Sequence, residues 1–221
     1  MKIRTLRIIV DAAMVMLLPV VMARAMTGGL VHELAGTIMA VLFIAHHVLN
    51  LSRWKGLFEG KYSPRRLLFT GVDFLLLIYM ILQPLTGILM SDHLFTSVSF
   101  PGVSGTVIDV HKTLCWWGFV LMSVHAGMHM DQILAKIRGT WEGNAVWTCF
   151  ILVSIWGLYA FAKRVIPGLI LRNTADSSVN PERVVSGLFD YLAMIVMFAL
   201  AGVMMIRVLS MLRHRLRKNK A

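Results

Sequence analysis

The amino-acid sequence predicts an all-α integral membrane protein, a bundle of six transmembrane helices with both termini in the cytoplasm. Three observations carry this. Of the 221 residues, 57% are hydrophobic and only 15% charged, where a soluble domain carries about a quarter charged residues. The mean hydropathy is +0.73. The apolar residues also come in runs of roughly 20, the length that crosses a bilayer hydrocarbon core.

Inside such a run only a helix satisfies the backbone within one segment. The first span covers about 7–27. Its basic start, apolar stretch and "ARA" at 23–25 imitate a signal peptide. The apolar stretch is long, however, Asp11 interrupts it, and Arg24 sits in the cleavage position, so it reads as an uncleaved helix. The second span (30–51) begins in "HELAG" and closes in "HHVLN". The third (67–91) contains Asp73 and the mid-span Pro84. A Pro-Gly loop, "DHLFTSVSFPGVSGTVID", leads into the fourth (107–130). The fifth (144–163) and sixth (185–208) flank "RVIPGLILRNTADSSVNPER", whose apolar "IPGLIL" is expected along the interface. The tail "RHRLRKNK" reads as an anchor at an anionic leaflet.

Lysine and arginine placement sets the orientation. Sixteen of the 22 fall on one side, at the N-terminus, in "SRWKGLFEGKYSPRR", at Lys136 and Arg138, and in the tail from Arg207. The other six are Arg24, Lys112, Lys163, Arg164, Arg172 and Arg183. The positive-inside rule then puts both termini in the cytoplasm. The same distribution accounts for the net charge of +11, so no nucleic-acid partner is expected. Cys115 and Cys149 lie within apolar runs, so no disulfide framework is implied. No CxxCH is present, which excludes covalent c-type haem attachment.

Six of the eight histidines fall on two spans: His32, His46 and His47 on the second, His111, His125 and His129 on the fourth. Ionisable groups inside a membrane are costly and mark functional positions. His32 to His46 is fourteen residues, and so is His111 to His125. Fourteen residues rise about 21 Å and make two heptads, which keeps both positions on one seam of a supercoiled bundle. The second and fourth spans run in the same direction, being separated by one antiparallel span. His32 and His111 are thus expected at one depth near the outer face, and His46 and His125 at another, deeper one. Pairing His47 with His129 leaves a mismatch of about 4.5 Å in rise.

A single intramembrane histidine is often no more than a helix–helix hydrogen bond; two matched pairs suit a flat cofactor with two open axial positions. Histidine is a standard axial ligand of haem iron, whereas two imidazoles fall short of the four ligands of structural zinc. The expected metal ligands are therefore His32 with His111 and His46 with His125. Gly36 and Gly118 are expected to let the macrocycle approach, although ordinary close helix packing explains them equally well. Arg53, Arg66 and Lys112 stand where propionates would point or act as simple anchors. Trp116 and Trp117 flank the cofactor or pack the core. His129 lines a pocket, binds a propionate or sits at the interface. Asp11 and Asp73 suggest proton uptake, a quinone site or plain snorkelling.

"HELAG", "HHVLN", "LTGILMSDHLF" and "HKTLCWWGFVLMSVHAGMH" together resemble the flavinylation-associated cytochrome family, formerly a four-helix domain of unknown function. The resemblance covers roughly residues 5–132. In that pattern the closing histidine stands four residues before an Asn, here His46 before Asn50, and the later histidines match His111, His125 and His129. The paired histidines are also similar to those of cytochrome b in respiratory bc complexes. The resemblance implies a cytochrome b-like domain over 1–132 holding two bis-histidine b haems, with 133–221 adding two helices and the basic tail. It further implies a bacterial cytoplasmic membrane and electron transfer across it between the quinone pool or another membrane donor, with a quinone as a further ligand, and an extracytoplasmic flavin-carrying or cytochrome partner. The chain has no flavin-binding module of its own, so that partner is a separate polypeptide, and the chain is an electron-transfer subunit more than an enzyme. Two alternatives stand beside this: a cytochrome b anchor of a dehydrogenase or hydrogenase complex, and a proton-coupled transporter using a histidine relay. A transporter more often shows broken helices and repeat symmetry.

Overall fold

The computed structural model describes residues 3–60, 62–100, 105–137, 139–171 and 181–218. The Pro101–Gly102 turn and the basic residues Lys2, Lys61, Arg138, Arg172 and Lys220 lie outside the described residues. The described chain is helical, with no strand. In order it forms α1 (Ile3–Met22), the short α2 (Arg24–Thr27), α3 (Gly29–Leu49), α4 (Leu51–Lys55), α5 (Pro64–Leu89), α6 (Gly105–Lys136), α7 (Trp141–Leu171) and α8 (Pro181–Lys218). Six of these carry stretches long and apolar enough to cross a membrane: Ile3–Met22, Gly29–Leu49, Pro64–Leu89, Gly105–Lys136, Trp141–Arg164 and Val184–Arg213. The protein is a multi-pass membrane protein.

Local chemistry explains the boundaries. The first helix stops at Met22, before the expected 27, because the chain turns at Ala23 and restarts after Gly28. Gly28 has φ 89°, a left-handed conformation that side-chain-bearing residues rarely adopt. At the end of α3, the Asn50 side-chain amide donates to the His46 carbonyl at 2.8 Å, and Arg7 Nε donates to Leu49 O at 2.9 Å. These donors satisfy carbonyls that a helix end leaves open. Helix α5 begins with Ser63 accepting the Arg66 N–H at 3.3 Å and with Pro64 in the first turn, where its missing N–H costs nothing. Thr140 caps α7 in the same way, accepting the Gly143 N–H at 3.0 Å. Helix α5 runs unbroken through Pro84. The "IPGLIL" segment continues α7 as helical backbone to Leu171.

The chain forms two compact units. The first comprises Met1–Lys61, Leu76–Phe119 and Ala175–Phe189. Within it α1 packs against α3, and Val10, Leu18, Ala35, Met39, Met80 and Phe119 are buried. Glu33 fastens the loop that follows α5. Its carboxylate accepts from Ser91 Oγ at 2.7 Å, from the backbone N–H groups of Asp92, His93 and Leu94, and from the His93 ring at 3.0 Å. Cys115 Sγ donates to Met22 Sδ at 3.3 Å, and both cysteines are free thiols.

The second unit comprises Tyr62–Leu75, Val120–Thr174 and Asp190–Ala221. Its core is largely α8: Ala193, Met194, Ile195, Ala199, Val203 and Ile206 are buried. The backbones come very close here. A β-carbon added at Gly127 would strike the Ala199 carbonyl, one at Gly202 the Val124 carbonyl, and one at Gly157 the Ala193 carbonyl. Small residues of this kind let transmembrane helices pack by van der Waals contact. Two ion pairs add to it. Buried Asp190 binds Arg164 at 2.6 Å and accepts from Trp156 Nε1 at 3.0 Å. Asp131 binds Arg207 at 3.0 Å, and the Arg207 guanidinium lies 4.3 Å from the Trp147 ring centre.

Candidate functional site

The His32 and His111 rings meet within the first unit, their centroids 6.1 Å apart and their planes inclined by 74°. Hydrogen bonds define the face each imidazole offers. His32 Nδ1 lies 2.9 Å from the Val21 carbonyl, which only accepts, so Nδ1 carries the proton and Nε2 keeps its lone pair. His111 Nδ1 lies 2.9 Å from Thr86 Oγ1. The Thr86 hydroxyl proton is directed to the Leu82 and Gln83 carbonyls, at 3.0 and 2.9 Å, so its oxygen accepts from His111. His111 Nε2 is then a lone-pair atom, and the Gln83 amide donates to it at 3.2 Å. Gly87 makes room for this ring, since a β-carbon there would approach His111 Cε1 to 3.4 Å.

The other two expected ligands each have a carboxylate beside Nδ1. His46 belongs to the first unit, and its Nδ1 lies 2.7 Å from Asp11 Oδ1. His125 belongs to the second, and its Nδ1 lies 3.0 Å from Asp73 Oδ1. The Asp11 carboxylate accepts only, so His46 Nδ1 carries a proton, whereas His125 Nδ1 and Asp73 Oδ1 are buried without a hydrogen-bond partner. In metal-binding histidines the second ring nitrogen almost always has such a partner, which fixes the tautomer and raises ligand basicity.

The spacing of His32 and His111 would suit an axially ligated iron. Two imidazoles sharing one metal through bonds of about 2 Å place their ring centres roughly 6 Å apart, close to the spacing of His32 and His111. The side-chain amide oxygen of Gln83, whose amide nitrogen donates to His111, is buried without a hydrogen-bond partner. A β-carbon at Gly36 would meet nothing within 4 Å, so space is open beside α3. Gly118 instead faces the Tyr79 ring, at 3.9 Å from the position of an added β-carbon.

His47 bonds the Phe43 carbonyl through Nδ1 at 3.0 Å and stacks on Trp54. His129 packs against Phe69 and against His125, with ring centroids 4.7 Å apart in the latter pair. Asp73, His125 and His129 bring one ligand atom each within 4.8 Å of one another, a set able to hold a metal ion. Arg53, Lys112 and Trp117 are exposed. Arg66 lies over the Tyr62 ring at 4.3 Å.

Reasoning from spacing alone missed four partners. Val21, Thr86 and Gln83 sit on neighbouring helices, where nothing in their own pattern marks them. Glu33 was legible only as a letter of "HELAG". Asp11 and Asp73 stood out as intramembrane acids, and the structure gives both a histidine. No family model, curated protein or solved structure matches the chain.

Proposed function

We propose that the protein is a membrane b-type cytochrome with two haems, one held by His32 and His111 and the other by His46 and His125. It passes electrons between the quinone pool and an extracytoplasmic flavoprotein or cytochrome, from a bacterial cytoplasmic membrane with both termini inside. The observation that supports this reading is the meeting of the His32 and His111 rings, each with Nδ1 hydrogen-bonded to an acceptor. The second pairing rests on the equal fourteen-residue intervals. When bound, haem supplies one-electron chemistry by outer-sphere transfer. The chain's own part is to hold the His32, His111 and His46 imidazoles through Val21, Thr86 and Asp11.

A dithionite-reduced minus oxidised spectrum of the purified protein, with haem quantification, tests this. The reading expects b-type bands and two haems per chain; a preparation without haem bands sinks it. The cluster of Asp73, His125 and His129 favours a second reading, a first-row transition-metal ion held by two histidines and one carboxylate. Elemental analysis separates the two: one equivalent of non-haem metal that His129→Ala removes supports the second.

A further inference from the structure

We infer that the second unit binds one anionic phospholipid in a groove between the first half of α5 and the second half of α8. Its acyl chains lie against the apolar walls, and its phosphate meets the arginines at one end. The inference rests on the membrane-spanning fold and is independent of haem.

The groove holds about 940 Å³, and every residue lining it is apolar. That volume lies within the range of about 300–1,000 Å³ typical of small-molecule sites. On α5 the walls run over 64–75 and on α8 over 201–212, all within the second unit. Each stretch rises about 16 Å along its helix, half of the roughly 30 Å hydrocarbon core. The groove is thus one leaflet deep, the reach of the acyl chains of a single lipid. Gly71 keeps it open: the residue is exposed, and a β-carbon there would meet nothing within 4 Å.

The chemistry changes at one end. Helix α5 starts there with Ser63 as its cap and Pro64 in the first turn, and the peptide dipoles at a helix start favour an anion. Arg65 and Arg66 follow at once, and Arg65 is half-exposed. The third and sixth spans run in opposite directions, so the close of α8 lies at the same level. Arg215 stands three residues past Leu212, on the same helix face, and both Arg215 and Arg213 are exposed. Neither 62–72 nor 208–218 contains an acid, so neither segment neutralises its own charge. In the proposed orientation this end meets the cytoplasmic leaflet, the anionic one, and basic pockets between transmembrane helices on that side suit acidic headgroups. A quinone would fit the walls but, being neutral, would gain nothing from the arginines.

Native mass spectrometry of the full chain in mild detergent tests this, with phosphatidylglycerol and phosphatidylcholine of identical acyl chains as probes. The wild type should take up one phosphatidylglycerol about tenfold more tightly than phosphatidylcholine. Arg215→Gln should cut that preference severalfold. Gly71→Leu, which puts a side chain into the groove, should weaken both lipids by about tenfold and leave thermal melting unmoved. A phosphatidylglycerol with a photoreactive acyl chain should label the wild type within 64–75 and 201–212, a readout that needs no variant to fold. Equal affinity for the two headgroups overturns the inference, and so does labelling elsewhere. Phosphatidylglycerol binding that ignores Gly71→Leu also overturns it, since diffuse attraction to the basic tail then accounts for the preference. None of these readouts involves haem, so the inference and the cytochrome reading fail separately.

Discussion

Helices α3 and α8 are both long and apolar, and they make opposite use of that property. Of the apolar window of α8, 39% is buried inside the protein, against 11% for α3 and 11% for α6. Helix α8 carries its one histidine beyond the apolar span, at position 214, while α3 and α6 carry six between them. The most buried span is thus a scaffold, seated on glycines and ion pairs, and the two histidine-bearing helices leave most of their apolar windows unburied. The lesson is that the 133–221 segment, for which the histidine pattern supplies no role, contributes much of the packing of the second unit.

If scaffold and site are separate, they should fail separately. The largest loss of stability is expected for Asp190→Ala, which leaves the Arg164 charge without its partner. Breaking a buried ion pair from one side costs about 3–5 kcal/mol. Thermal unfolding in detergent should show this, with haem per folded chain unchanged. Gly202→Ala comes next: its methyl group would collide with the Val124 carbonyl, and overpacking costs about 1–3 kcal/mol. The same melting assay should register it, again without a change in haem content. On the other side, Thr86→Val keeps the shape but removes the acceptor for His111 Nδ1. It should weaken haem retention at the His32/His111 position by about tenfold to a hundredfold, read by titration with a competing apo-protein, and leave melting of the haem-free chain unmoved. The smallest effect is expected for His47→Ala, whose ring is held by its own helix and by Trp54: two haems should remain. Joint loss of fold and haem in the Asp190 or Gly202 variants would erase the distinction.

The six spans were legible because a bilayer demands about 20 apolar residues in a helix, and each span falls within a few residues of its expected place. The departures have local causes, such as the turn at Ala23 and the continuation of α6 through Asp131 to Lys136. That continuation is stabilised by the pairing of Asp131 with Arg207 on α8. Periodicity along one helix also identified His32 and His111 as partners, and their rings do meet. It could not show how neighbouring helices are rotated, and the acceptors for Nδ1 come from those helices. Val21 contributes through its backbone, which no residue type advertises, and Thr86 and Gln83 look like ordinary polar residues near a proline. Asp11 and Asp73 were conspicuous as charges, but their use depends on what stands opposite them. The burial of α8 had no signature beyond its small residues, which occur on most membrane helices.

The claim at the centre is that the four histidines act as two pairs. Haem quantification with reduced spectra of the single variants His32→Ala, His111→Ala, His46→Ala and His125→Ala tests it most directly. The account predicts two haems in the wild type and one in each variant, with His32→Ala and His111→Ala losing the same spectral component and His46→Ala and His125→Ala losing the other. A wild type without haem, or losses that cross between the two pairs, contradicts it.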